Sequence, residues 1–328
     1  MLCEKITMKY KCCEHLLHQI VFDQDEIKPC CASSMNKEVA KFVENFDGSN
    51  FDVDNYLKQR KCYVDIFKSG NIPNCCEGCP LIKEKVWDDE KVYFNRIIMA
   101  NIAKCSCNCI YCVYTYYDEK KKAFYNTRKY YDIKPILVDL RNKNLISDDL
   151  VLLIGGGECT EFSKGELEWL IYFSTFYNGK IQILSSGINY SKAIEYILKS
   201  GNVELSISPD SGTKEMYEKI KRVKTFDQVW KNIKDYINAS QNNTKARIEV
   251  KYIIIPNFND NLKEVKAFIN KVRETNCKNI HVDIEHYWYA QNRDKPVPNN
   301  IKEIVTLFNN NKEFFVSFSA ETETWLIN

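Results

Sequence analysis

The chain has 328 residues, 45% of them hydrophobic, and 46 Lys and Arg against 44 Asp and Glu leave a net charge of +2. That balance gives no global electrostatic case for a nucleic-acid partner, and no run approaches the roughly 18 apolar residues of a membrane span. There is no N-terminal apolar signal segment, so a cytoplasmic location is expected; disulfides are disfavoured there, and 15 cysteines then point to metal or cluster ligation.

In chain order, residues 1–90 read as a small cysteine-rich N-terminal domain ahead of one large domain over 91–328. His18 to Cys30 reads as a hairpin with an Asp-rich turn that leads into the pair Cys30 and Cys31. Cys12 and Cys13 precede it. Cys62 and Cys75 follow, and then a knuckle, Cys76-Glu77-Gly78-Cys79-Pro80. Such thiols suit a metal or a cluster, and spacing cannot separate thiolate-bound zinc from iron. His15 and His18 are read as surface or core packing. The basic stretch Lys120, Lys121, Lys122, Arg128 and Lys129 is read as a solvated helix face.

From residue 93 the pattern alternates. A buried strand over 96–103 delivers a loop, Cys105-Ser106-Cys107-Asn108-Cys109-Ile110-Tyr111-Cys112. An amphipathic stretch over 133–146 follows, then the apolar run Leu150 to Ile154, which ends at Gly155-Gly156-Gly157-Glu158. Helix 164–177, strand 181–186, helix 190–200 and strand 203–209 come next. Helices over 213–221 and 225–240 precede strand 246–255, helix 261–275 and strand 279–287. A last helix over 299–310 leads to strand 313–320. Short apolar strands alternating with helices imply parallel strands buried on both faces. The fold class is therefore α/β, a partial (β/α)6-type TIM barrel, with an open doubly wound sheet as the runner-up.

Within the loop, Cys105, Cys109 and Cys112 have the spacing Cys-x3-Cys-x2-Cys, with Tyr111 before the last cysteine. Three thiolates can each hold one iron of a 4Fe–4S cube and leave the fourth iron open. A zinc knuckle built on Cys109 and Cys112, or a disulfide knot, is the alternative. The loop follows one strand, the glycine turn follows the next, and Ser185-Ser186-Gly187 and then Ser206, Ser208 and Asp210 follow the two after that. A barrel builds its chemistry on that face.

The cysteine triad after one strand and the Gly-Gly-Glu turn after the next resemble the radical S-adenosylmethionine (radical SAM) enzyme superfamily over residues 93–320. The resemblance implies that Cys105, Cys109 and Cys112 ligate a 4Fe–4S cluster whose open iron chelates S-adenosylmethionine, with Cys107 a bystander. It implies that Tyr111 packs near the adenine, and that Gly156, Gly157 and Glu158 meet the cofactor's amino group, where a carboxylate suits an ammonium. Ser186, Ser206 and Ser208 lie where ribose or carboxylate contacts are made. The implied chemistry is reductive cleavage to a 5′-deoxyadenosyl radical that abstracts hydrogen from a substrate.

Ser206 to Thr213, with Tyr217 and Phe226 to Trp230, is similar to the branch carrying auxiliary clusters in a SPASM or twitch-type domain. Here the extra cysteines precede the barrel. The expected second, auxiliary 4Fe–4S cluster uses Cys13, Cys30, Cys76 and Cys79, with Cys12, Cys31 and Cys75 as alternates and structural zinc as the competing reading. Asp210 is a candidate contact, although a helix N-cap is the simpler reading. Asp283 and Glu285 share a strand face and are candidates for substrate or proton handling, and Lys251 and Arg247 share the face of the preceding strand. The expected substrate is a peptide or protein that is oxidised or cross-linked, with a sugar or other small molecule as the alternative and flavodoxin or ferredoxin as the reductant. A non-catalytic iron–sulfur or zinc protein is the reading of another class.

Overall fold

Residues Gln19–Asp23 are apolar on both faces and form a strand buried over nearly its whole length. It belongs to the first of two compact units in the computed structural model, Met1–Asn101 with Lys129–Leu152; the second is Ile102–Arg128 with Leu153–Asn328. The structure describes residues 9–23, 25–30, 40–49, 51–79, 81–89, 91–100, 105–112, 131–161, 168, 171, 173–174, 179–319, 322–323 and 325. Cys31, the basic stretch 120–129 and most of the helix expected over 164–177 lie outside the described residues.

The first unit opens with β1 (Lys9–Cys12) and α1 (Glu14–His18), which is capped by the Cys13 sulfur accepting from the Leu16 amide at 3.4 Å. β2 (Gln19–Asp23) turns into β3 (Glu26–Lys28), the hairpin expected from the Asp-rich turn. The Lys28 ammonium lies 2.8 Å from both Asp23 and Glu26. Helix α2 (Val53–Lys68) starts at Asp52, whose carboxylate accepts from the Asn55 amide at 2.9 Å. β4 (Lys83–Val86) pairs antiparallel with β1, and β5 (Phe94–Met99) pairs in parallel with β2. α3 (Lys134–Asn142) and β6 (Ile146–Ile154) follow, so the unit's larger sheet runs β6-β5-β2-β3. Tyr56, fully buried, centres an aromatic core with Phe42, Phe51 and Phe94, and its hydroxyl donates to the Gln19 carbonyl at 3.1 Å.

The second unit alternates strand and helix: β7 (Lys180–Ser185), α4 (Lys192–Ser200), β8 (Val203–Ile207), α5 (Lys214–Lys221), α6 (Phe226–Ser240) and β9 (Arg247–Ile254). Then come α7 (Leu262–Thr275), β10 (Asn279–Ile284), α8 (His286–Asn292), α9 (Asn299–Asn310) and β11 (Phe315–Phe318). The five strands β7 to β11 pair in parallel and in sequential order. A doubly wound sheet would reverse that order at a switch point. Sequential winding is what a barrel needs. The α/β class read from the alternation is the class observed.

Burial along β9 and β10 follows the period of two. Ile248, Val250, Tyr252, Ile280, Val282 and Ile284 pack under the helices, with Tyr252 edge-on to Phe268 at 4.7 Å. The opposite face carries Lys251, His281 and Asp283, each reached by solvent. The expectation of strands buried on both faces therefore holds in full on the helix side and only in part on the other, where Glu249 and Ser206 are buried but Lys251, His281 and Asp283 are not. β10 also stops at Ile284 rather than 287, because the Glu285 carboxylate accepts from the Tyr287 and Trp288 amides and starts α8.

Candidate functional site: a cysteine loop seated on a buried lysine

The loop 105–112 is gripped by its backbone. Asn108 and Ile110 donate to the carbonyls of Lys221 and Ile220 at 3.2 and 3.0 Å, the carbonyls left unpaired at the end of α5. Ile110 packs with Ile220 and Ile255, and the Ser106 amide donates to Glu161 at 2.6 Å. Cys105, Cys109 and Cys112 remain reached by solvent, while Cys107 is buried. Hydrogen bonding to Cys105, together with burial, pushes the Cys107 thiol up to about 12. Cys107, the buried thiol of the loop, is the one expected as a bystander, and three partly exposed thiols remain.

Behind the loop lies a group that sequence reasoning missed. Lys221, 2% exposed, meets the fully buried Asp210 at 2.5 Å, and its ammonium donates to the Tyr111 hydroxyl at 2.6 Å. Tyr111 in turn donates to Asp210 Oδ2 at 2.5 Å. Burial works against the Lys221 charge, but Asp210 and then the loop groups outweigh it, so its pKa stands well above the usual lysine value. Asp210 is not the helix cap that its position suggested. Thr213 caps α5 by accepting from the Met216 amide, and Asp210 takes a left-handed conformation with φ +55°. Its other oxygen accepts from the Ile253 amide at 3.0 Å.

The Gly155 to Glu158 turn has Gly156 at φ +79°, a conformation that glycine adopts at little cost. Glu158, 1% exposed, accepts from the Ser185 hydroxyl at 2.8 Å, from the Ser186 amide and hydroxyl at 2.6 Å each, and from the Thr160 amide and hydroxyl. Its oxygens are saturated inside the protein, so it fixes the turn to the end of β7 rather than presenting a free carboxylate. Ser206 is buried on β8, in register with Leu184 and Glu249, and Ser208 is half-buried with its amide on the Ser185 carbonyl at 3.1 Å.

Of the strand carboxylates, Asp283 lies on the polar face of β10 and pairs with Lys251 of β9 at 2.8 Å. Burial opposes its charge, but Lys251 and the Ser319 hydroxyl hold the carboxyl below the usual range. His281 stands beside them in register with Lys251, its ring 3.0 Å from the Ser317 hydroxyl. Glu285 turns away into its helix cap, which corrects the expectation that it shares the face of Asp283.

In the first unit, the helix cap brings in Cys13 and the hairpin delivers Cys30. A short helix at Asn74–Cys76 and a left-handed Gly78 shape the knuckle, in which the Cys79 amide donates to the Cys76 carbonyl at 3.1 Å. Cys13 and Cys30 both act electrostatically on Cys76, and Cys79 acts on Cys13. Cys75 lies 3.8 Å from Cys76, whose hydrogen bond lowers it to about 6. Cys12 faces the carbonyl of Cys13 and is pushed by burial up to about 12. Among the described residues, no three His, Cys, Asp or Glu side chains converge closely enough to hold one metal ion.

The sequence model of the Radical SAM superfamily matches residues 102–272, just over half of the chain. The chain belongs to the radical SAM superfamily. No curated protein matches it. Among solved structures it is similar to Streptococcus suis SuiB bound to precursor peptide SuiA, with 13% identity and a TM-score of 0.51, covering 86% of this chain and 56% of that one. SuiB bound to S-adenosylmethionine gives 14% identity and a TM-score of 0.49, covering 84% and 54%. Methylornithine synthase gives 13% and 0.47, covering 74% and 70%. The chain thus spans little more than half the length of SuiB, and the likeness shows a common α/β fold of the radical SAM partial-barrel kind.

Membership implies a 4Fe–4S cluster and S-adenosylmethionine. This radical SAM chain has a donor set that fits them: three accessible thiols on one anchored loop, enough for three irons of a cube with the fourth left open. Among the described residues no helix is long and apolar enough to cross a membrane.

Proposed function

We propose that this radical SAM enzyme holds its 4Fe–4S cluster on Cys105, Cys109 and Cys112 and abstracts hydrogen from a peptide or protein substrate, leading to oxidation or cross-linking. The observation that carries the reading is the cysteine loop itself, seated on the end of α5 with three thiols open and the fourth, Cys107, buried. Tyr111, Gly156, Gly157, Ser186, Ser206 and Ser208 are the residues we assign to S-adenosylmethionine. When bound, cluster and cofactor supply a 5′-deoxyadenosyl radical on one-electron reduction, and the chain's own residues position and shield that chemistry. Glu158 keeps the glycine turn shaped by holding Ser185 and Ser186, and Ile110, Ile220 and Ile255 seal the loop's inner side against water. Asp283 stays ionised beside the Lys251 ammonium, so it offers the substrate a hydrogen-bond acceptor and leaves the proton on Lys251 Nζ.

The functional division we propose places the partial barrel over 91–328 and a second cluster in 1–90, on Cys13, Cys30, Cys76 and Cys79. The electrostatic influence of Cys13 and Cys30 on Cys76, and of Cys79 on Cys13, supports a shared site for these thiols. Held on those cysteines, such a cluster would supply an electron acceptor, which would favour net oxidation. Flavodoxin or ferredoxin in the cytoplasm would supply the reducing electron. The peptide substrate is carried over from SuiB, solved with precursor peptide SuiA. A sugar or other polar metabolite is the second reading, favoured by the polar face that carries Lys251, His281 and Asp283. Anaerobic incubation with S-adenosylmethionine, dithionite and either candidate precursor peptides or sugars separates the two. A peptide product lighter by two hydrogens supports the proposal, and turnover of sugars alone contradicts it.

A further inference from the structure

Lys221 ends helix α5, where a lysine ordinarily points its ammonium into water. Here the side chain is buried to 2% exposure against a fully buried Asp210, 2.5 Å away. A buried ion pair is weak evidence of stabilisation, because desolvation consumes most of the Coulombic gain and apolar replacements are often neutral or better. Stability therefore does not explain the pair, and its surroundings do. The main chain of Ile220 and Lys221 accepts the loop amides of Ile110 and Asn108, while the Lys221 ammonium holds the hydroxyl of Tyr111, one residue from Cys112.

We propose that Lys221 is a positioning residue for the cluster, fixing the cysteine loop through Tyr111 and holding a positive charge that raises the cluster's reduction potential against the opposing charge of Asp210. The inference rests on the reading of Cys105, Cys109 and Cys112 as cluster ligands. An added electron makes a cluster more negative, and a fixed cation in a poorly polarisable interior favours that state.

The charge also has a defined place. Asp210 Oδ1 accepts from the Ile253 amide, and the Asp210 carbonyl accepts from Asn259 at 2.8 Å. The following turn is bound by Glu264, which accepts from the Ser211 hydroxyl and the amides of Gly212 and Thr213. A Cβ on Gly212 would lie 1.9 Å from the Phe268 nitrogen, so β8, α5 and α7 meet there without slack. Such fixed dipoles and charges need no reorganisation when the electron arrives.

The two members of the pair therefore have opposite effects, which a merely structural pair would not. In the anaerobically reconstituted full chain without S-adenosylmethionine, a redox titration followed by electron paramagnetic resonance reads the potential apart from activity. Lys221→Met is expected to lower the reduced fraction at fixed potential about tenfold, a shift of about 59 mV to more negative values for one electron. Asp210→Asn is expected to shift it in the positive direction, and Lys221→Arg is expected to stay close to wild type. Shifts of the same sign in Lys221→Met and Asp210→Asn, or none in either, overturn the proposal. Should Lys221→Met fail to fold or to retain a cluster, the sign for Asp210→Asn decides alone. A wild-type chain that takes up no 4Fe–4S signal at all, or a Cys109→Ala variant that keeps it unchanged, refutes the ligand assignment itself and the inference with it.

Discussion

Glu158 and Ser186 meet twice at one oxygen: the Ser186 amide and hydroxyl both donate to Glu158 Oε2 at 2.6 Å. With Ser185 and Thr160 on the other oxygen, this single buried carboxylate ties the glycine turn to the end of β7. Removing it leaves several buried donors unpaired. Glu158→Ala is expected to destabilise the protein by about 3 kcal/mol in urea unfolding. Glu158→Gln should lose nearly as much, because an amide turns two donors toward donors. A neutral Gln variant would contradict the saturated network.

Gly212 stands where no side chain fits. Its Cβ would fall 1.9 Å from the Phe268 nitrogen and 2.2 Å from the Ala267 carbonyl carbon, so Gly212→Ala must push α7 from the turn that carries Asp210. The expected loss is about 3 kcal/mol or more. Gly70, left-handed at φ +84° but with open space around its Cβ site, provides the contrast. Gly70→Ala is expected to cost about 1–2 kcal/mol from backbone strain alone. Thermal unfolding of the two variants checks the ranking.

Asp283 gives stability a pH signature. Its carboxyl is held below the ordinary value, despite burial, by Lys251 and Ser319. A depressed acid stabilises the fold above its unfolded pKa of about 3.9, and that contribution disappears as pH falls through the lower folded value. The stability gap between wild type and Asp283→Asn is therefore expected to be flat from pH 7 to 5, at about 1 kcal/mol, and to close below about pH 4. Urea midpoints at several pH values read it; a gap that widens in acid would contradict the assignment.

Much of this arrangement was legible in the sequence. The strand and helix periods foretold β7 to β11 and their connecting helices other than α8, because each element's apolar residues face one layer of neighbours. The Cys-x3-Cys-x2-Cys spacing and the glycine turn pointed to the site for the same reason: both are local. Lys221 was not legible, since its partner lies 11 residues away and its meeting with Tyr111 spans 110. Nor was the role of Asp210. Thr213 takes the cap that is the simpler sequence reading for Asp210, and only the fold shows it. Glu285 was read as a continuation of the β10 alternation, whereas the chain breaks there into α8. The pairing of β2 with β5 joins segments more than 70 residues apart and left no local trace.

The N-terminal thiols divide into two groups. Cys13 and Cys30 act electrostatically on Cys76 and Cys79 acts on Cys13, while Cys12 turns to the Cys13 carbonyl. Reconstituted wild type is expected to hold about eight irons per chain, and Cys79→Ala about four, with Cys12→Ala close to wild type. Four irons in wild type, or zinc in the N-terminal site, would overturn the auxiliary cluster.

The most direct test of the account is the appearance of 5′-deoxyadenosine. The reconstituted, dithionite-reduced chain is incubated with S-adenosylmethionine and assayed by liquid chromatography and mass spectrometry. Wild type is expected to release 5′-deoxyadenosine and methionine, Cys109→Ala neither, and Cys107→Ala both. No 5′-deoxyadenosine from wild type that carries its cluster, even with candidate substrates present, or undiminished release from Cys109→Ala, would contradict the claim that these three thiols build the reactive centre.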